Sequence, residues 1–237
     1  MTKLSVNVNK VATIRNARGN NVPNLLNVAL DIEKYGAEGI TIHPRPDERH
    51  IRYADVYELS KNVITEFNIE GYPNKKFIDL VLEVKPDQVT LVPDPPEVLT
   101  SNAGWKIKNN KELLNEVLSE FSKNGIRTSV FMEANITDIK ETELIEVDRI
   151  ELYTESYASG YKSNKEKAIQ PFIEAAELAT KMEIGINAGH DLSLENLKYF
   201  ANNVPNLLEV SIGHALISDA LYYGLEKTVV MYKNLLK

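Results

Sequence analysis

The chain contains no cysteine. Disulfides, thiolate metal sites and a cysteine nucleophile are therefore excluded, and a reducing compartment suits the composition. Histidine is scarce as well: four imidazoles in 237 residues, at positions 43, 50, 190 and 214. No apolar run approaches the roughly 18 residues of a membrane span. The opening Met1-Thr2-Lys3-Leu4-Ser5-Val6-Asn7 lacks the apolar stretch of a signal peptide. A cytoplasmic, soluble protein without a membrane partner is expected. Positive charge is also in short supply, with a net charge of −7. That balance argues against nucleic acid and against an anionic bilayer as partners. Any phosphate must be held by a few local basic groups.

Apolar residues make up 43% of the chain and charged residues 26%, ordinary values for a globular protein with a substantial core. Eight β-rich runs occur at 4–9, 39–43, 65–70, 88–92, 127–132, 148–153, 184–187 and 207–212. Helical periods lie between them. In 23–35, Leu25, Leu26, Ala29, Leu30 and Glu33 share a face, and Gly36 suits a C-terminal stop. Segments 110–124 and 165–182 repeat the pattern, and a final helix carries Leu216, Ile217, Ala220, Leu221, Leu225, Val229 and Val230. Alternating strands and helices imply βαβ units on a parallel sheet. Eight such units in this length favour a closed (β/α)₈ TIM barrel with extra helices, as one domain spanning 1–237. No G-x-G-x-x-G follows a strand, so an open dinucleotide-binding sheet loses support.

Active sites of such barrels are built from the loops after the strands. Polar residues at strand C-terminal ends are thus the candidates: Asn7 and Asn9, His43 and Arg45, Glu70, Thr100, Glu151, Asn187 with Gly189 and His190, and Gly213 with His214. Each histidine falls in a post-strand segment, and imidazole exchanges protons near neutrality. Taken singly, each is as well explained as a loop histidine with a satisfied hydrogen bond. Gly213-His214, before a helix, offers backbone N–H groups to a phosphate, though a plain strand-to-helix turn has the same sequence. The polar segment 12–19 (ATIRNARG) suits an anion clamp through Arg15 and Arg18, or a solvated basic turn. Glu70 at a barrel mouth is expected to be desolvated, with its pKa raised toward that of a useful base. Glu151 fits a structural role better. Lys10 is a Schiff-base candidate, or more simply a phosphate counter-ion. No metal motif is present.

The segments V-N at 6–7, A-T-I-R-N-A-R-G at 12–19, G-I-T-I-H-P-R at 39–45, R-H-I at 49–51, N-I-E at 68–70, L-V-P at 91–93, N-A-G-H at 187–190 and I-G-H-A at 212–215 keep order and spacing from end to end. In these the chain resembles the pyridoxine 5′-phosphate synthase family. The resemblance implies a (β/α)₈ barrel assembled as an octamer. It implies condensation of 3-amino-2-oxopropyl phosphate with 1-deoxy-D-xylulose 5-phosphate, giving pyridoxine 5′-phosphate, phosphate and water with no metal or organic cofactor. It implies His43 and Glu70 as proton acceptors and His190 as proton donor. Asn7 would touch the aminoketone phosphate, and Arg18, Arg45, His50 and Thr100 would hold the sugar phosphate. Gly213 and His214 would supply a phosphate site.

Two departures stand out. The family pattern has Asp-His where this chain has Asn9-Lys10, and Gly where it has Asp191. Lys10 can still meet substrate as a cation, whereas Asp191 puts negative charge near a phosphate unless it turns away. Two other readings fit fewer residues: a Schiff-base lyase on a phosphorylated ketose through Lys10, and a barrel that binds phosphate without catalysis.

Overall fold

The computed structural model describes residues 1–93 and 103–237. Strands and helices alternate: β1 Lys3–Asn7, α1 Asn9–Asn16, α2 Leu25–Lys34, β2 Gly39–Ile42, α3 Tyr53–Ser60, β3 Glu66–Gly71, α4 Lys75–Val84, β4 Gln88–Leu91, α5 Ile107–Lys123 and β5 Arg127–Met132. There follow α6 Ile136–Lys140, β6 Arg149–Tyr153, α7 Glu155–Lys181, β7 Gly185–Gly189, α8 Leu197–Asn203, β8 Leu207–Ile212, α9 His214–Tyr223 and α10 Leu225–Leu235. The eight strands are all parallel, and β8 closes back on β1. The fold is the expected (β/α)₈ barrel.

Alternation along the strands sends one set of side chains to the helices and the other into the lumen. Leu4, Val6, Ile40, Ile42, Ile69, Val89, Leu91, Val130, Ile150, Leu152, Val210 and Ile212 form the outer set and belong to one continuous core. That core also takes the apolar faces of the helices, such as Ala29 and Ile32 of α2 and Leu114, Val117, Leu118 and Phe121 of α5. The inner set is polar. Ser5 Oγ meets Thr41 Oγ1 at 2.7 Å, Asn68 Nδ2 donates to Thr41 Oγ1, and Thr90 Oγ1 donates to Asn68 Oδ1. These bonds run across β1, β2, β3 and β4, Thr41 and Asn68 as register partners and the other two pairs offset by two residues. Barrels of this class usually fill the lumen with branched apolar residues. Here the lumen is a hydrogen-bonded polar column.

Local signals explain most helix ends. Asn24 caps α2 by accepting from Asn27 N, and Gly36, at φ +104, is the stop expected for that helix. Asn164 breaks α7, and its Oδ1 accepts from Lys167 N, so the helix expected at 165–182 is a freshly capped second segment. The expected final helix is two helices, because Gly224 at φ +80 ends one and starts the other. Leu221 and Val230 are consequently exposed, outside the buried face assigned to them. Four further helices, α3, α4, α6 and α8, were not anticipated. They are short, five to ten residues, so each offers only one to three turns of pattern to read.

Three boundaries bear on the site. The first strand ends at Asn7, two residues before the expected end, so Asn9 and Lys10 open α1. The polar segment 12–19 is helical as far as Asn16 and a turn beyond it. The seventh strand runs on to Gly189, so Asn187 lies within it rather than in the loop beyond. The described helices include none long and apolar enough to cross a membrane.

Candidate active site

The upper rim of the lumen carries the candidates on successive strands. Asn7 closes β1, His43 follows β2, Glu70 is the penultimate residue of β3, and Glu151 lies within β6. Gly189 ends β7 and His190 follows it, and Gly213 and His214 follow β8. Hydrogen bonds tie the first three positions together. Asn7 Nδ2 donates to Glu70 Oε2 at 3.3 Å, and Asn7 Oδ1 accepts from Asn9 N at 3.1 Å. Asn9 Oδ1 then accepts from His43 N at 3.0 Å. Asn9 thereby braces the β1 turn against the His43 backbone.

Burial in the lumen sets the proton affinity of the carboxyls. Glu70 is pushed up to about 8, first by desolvation and then by the nearby Glu209, which shares its proton with Glu66. The Asn7 amide would favour the carboxylate, but one weak contact does not offset that burial. Glu151 is raised well above the usual carboxylate range by desolvation and by Glu70, with His190 opposing. Glu209 is raised by burial and by Glu66. Glu66 lies below its ordinary value even though burial acts the other way. The Glu209 hydrogen bond and the charges of Arg127, Arg149 and Lys3 hold it there. Glu209 is thus the protonated partner that donates to Glu66. The lumen carries ionised carboxylate at its floor and neutral carboxyl near its rim.

Beside Glu70 lies an electropositive corner. His43 is lowered to about 3, mainly by burial, then by His50, Arg45 and Arg49. His50 is lowered to about 4 by burial, Arg45, Lys10 and Arg49. The two rings are 6.2 Å apart. Both imidazoles are therefore neutral at physiological pH, which leaves them able to accept protons. His50 Nδ1 accepts from Ile51 N at 2.9 Å, so its remaining proton sits on Nε2. Arg45 is buried, and Lys10 is half-buried on the first turn of α1.

The last two turns are shaped by glycine. A Cβ at Gly189 would lie 2.3 Å from Glu151 Oε1, and one at Gly213 would lie 3.1 Å from both Cβ and the carbonyl oxygen of Asn7. Each glycine clears space for a rim side chain. Gly213 is the N-cap of α9 and offers no side-chain cap. The first-turn N–H groups there are available to an anion, at the positive end of the helix dipole. His190 adopts φ +94, and Tyr153 packs edge-on against its ring at 5.0 Å between centroids.

Some expectations fail. Arg15 is not part of an anion clamp. It is buried and paired with Asp55 of α3 through two contacts at 2.6 and 2.8 Å. Its third donor reaches the carbonyl of His50 at 3.2 Å, and Asn16 Nδ2 reaches the same oxygen at 2.7 Å. Arg15 and Asn16 therefore anchor the His50 segment from below. Arg18 is exposed on the turn after α1. Asp191, partly exposed, points its carboxylate at His190 Nδ1 at 2.6 Å. Thr100 lies outside the described residues. Sequence reasoning missed Glu209, Glu66, Arg127 and Arg149, a cluster inside the lumen that reaches the rim through Glu209 beside Glu70. The signal was present in runs such as Leu4-Ser5-Val6-Asn7 and Phe67-Asn68-Ile69-Glu70. Parallel strands buried on both faces normally read as continuous apolar runs, so alternation in them marks a polar interior. Among the described residues, no three His, Asp or Glu side chains come together in a way that could hold a metal ion.

The family model described as pyridoxal phosphate biosynthesis protein PdxJ matches residues 4–237. The chain belongs to that family. A pyridoxine 5′-phosphate synthase of Bacteroides thetaiotaomicron is 63% identical over 237 residues, covering the whole of both chains. One of Parabacteroides distasonis is 61% identical over 233 residues, 98% of each chain. The chain is thus an enzyme of the PdxJ family. Among solved structures, a phosphoribosylanthranilate isomerase of Thermotoga maritima superposes with TM-score 0.62 at 14% identity, covering 100% of this chain and 98% of that one. A thiamine phosphate pyrophosphorylase of Pyrococcus furiosus gives 0.62 at 12%, covering 99% and 95%. At that identity the likeness is one of fold alone.

Proposed function

We propose that this PdxJ-family enzyme is a pyridoxine 5′-phosphate synthase, condensing 3-amino-2-oxopropyl phosphate with 1-deoxy-D-xylulose 5-phosphate to give pyridoxine 5′-phosphate, phosphate and water. The observation that carries the reading is one rim holding a neutral His43, a Glu70 raised to about 8 and a cationic corner around Arg45. Joining an amine to a ketone needs a proton removed from nitrogen and one delivered to the departing oxygen. Ring closure and loss of phosphate need the same traffic again.

In this scheme His43 accepts a proton as the amine attacks. Glu70 enters as a neutral acid or as a carboxylate, according to pH, and removes the protons lost from carbon. His190, across the rim on β7, donates to the leaving oxygen. Glu151, held neutral between Glu70 and His190, adds a polar group beneath the reacting atoms. Arg45, His50 and Lys10 seat one phosphate, with Thr100 and Arg18 assigned to the same substrate by the resemblance. The α9 N-terminus at Gly213 and His214 seats the other, and Asn7 beside Gly213 contacts it. No resident metal or organic cofactor is invoked. The enzyme acts in the cytoplasm, as an octamer.

The test is to mix purified enzyme with both phosphorylated substrates and follow pyridoxine 5′-phosphate by its absorbance and phosphate by release. The two products should appear in equal amounts, and omission of either substrate should abolish both. Phosphate release without pyridoxine 5′-phosphate would reject the assignment.

A further inference from the structure

We infer that Asp191 is a positioning residue that fixes the tautomer of His190, leaving Nε2 as the nitrogen that exchanges protons; this rests on the proposed role of His190 as proton donor. Asp191 Oδ2 lies 2.6 Å from His190 Nδ1. A carboxylate only accepts, so Nδ1 must carry the proton in that contact. The second ring nitrogen is then the site of proton gain and loss.

The carboxylate does not hang on a loose loop. Asp191 N donates to Thr154 Oγ1 at 3.1 Å, and Asn196 Nδ2 donates to the Asp191 carbonyl at 3.2 Å. Thr154 and Asn196 are both buried. Thr154 Oγ1 also donates to the carbonyl of Gly189 at 2.8 Å, so one hydroxyl grips the chain on both sides of His190. Asn196 is held in turn, since Ser193 N donates to its Oδ1 and its carbonyl accepts from Tyr157. These bonds stabilise the left-handed backbone of His190, a conformation unfavourable for a non-glycine residue. With Tyr153 against the ring, orientation and tautomer are both determined. A glycine at 191 would have no side chain to accept this hydrogen bond.

Four histidines make the test direct. Magic-angle-spinning ¹⁵N spectra of the whole enzyme, labelled at histidine and assigned with His190→Gln, report the protonated nitrogen at alkaline pH. In the native enzyme His190 should show a protonated Nδ1 and a bare Nε2. In Asp191→Asn and Asp191→Gly that pattern should reverse or become mixed. Turnover should fall about 10-fold or more with KM nearly unchanged. A proton on Nε2 in the native enzyme, or an unaltered ¹⁵N pattern in Asp191→Gly, overturns the inference. The spectra need no turnover, so failure of the synthase assignment would leave them readable.

Discussion

Replacing Glu70 by Gln should change how stability depends on pH, and the change has a definite sign. The native carboxyl titrates near about 8, whereas an unfolded Glu titrates near about 4.3. Below pH 4 both states are protonated, and the group is indifferent. Between those values the native state keeps a proton that the unfolded chain releases, so unfolding becomes easier as pH rises. The stabilisation is complete below the unfolded value and is lost as pH climbs through the folded one. Nearly four pH units at 1.36 kcal/mol each give about 5 kcal/mol as an upper bound. Solvent at the open rim reduces this to roughly 2–5 kcal/mol. Gln cannot titrate, so Glu70→Gln should gain roughly 2–4 kcal/mol over the native protein between pH 5 and pH 9, the rest of the loss falling below pH 5. Relief of Glu151, whose pKa Glu70 helps to raise, adds in the same direction. Urea unfolding of both proteins at the two pH values reads the difference. Curves that stay parallel within about 0.5 kcal/mol would refute the claim that the lumen desolvates Glu70.

Other consequences follow from the same geometry. Arg15→Ala leaves Asp55 buried without its partner and should cost about 3–5 kcal/mol by chemical denaturation. Gly189→Ala puts a methyl 2.3 Å from Glu151 Oε1 and 3.1 Å from the Ser211 carbonyl. It should lower kcat about 10-fold or more as the carboxyl is displaced, measured by steady-state kinetics. Arg45→Met should weaken binding of inorganic phosphate about 10-fold or more by calorimetry. It should also raise the His43 pKa from about 3 in an NMR titration, though only in part, because burial is the larger cause.

The barrel was legible because every strand run is short, β-rich and separated by helical periods, which leaves few ways to arrange the chain. The rim was legible because Asn7, His43, Glu70, His190 and Gly213 fall at or near strand ends, and closure puts strand ends in a ring. What stayed hidden depends on pairing across the fold. Arg15 looks the same in sequence whether it faces substrate or Asp55, forty positions away. Glu209 sits mid-strand and reads as an exposed polar residue until the barrel closes and sets it beside Glu66. The two-residue shift in the end of β1 sets Asn9 in the first turn of α1, where its side chain braces the His43 backbone. That shift arises from the Asn7 side chain accepting from Asn9 N, a local turn with no strong sequence mark.

The most direct test is a crystal structure of the enzyme with pyridoxine 5′-phosphate and inorganic phosphate bound. One phosphate should sit on the N–H groups that open α9 at Gly213 and His214, and the other against Arg45 and His50. The pyridine ring should lie between them, within hydrogen-bonding distance of Glu70. A product bound away from the rim, or a ring with Glu70 and His190 out of reach, would contradict the account.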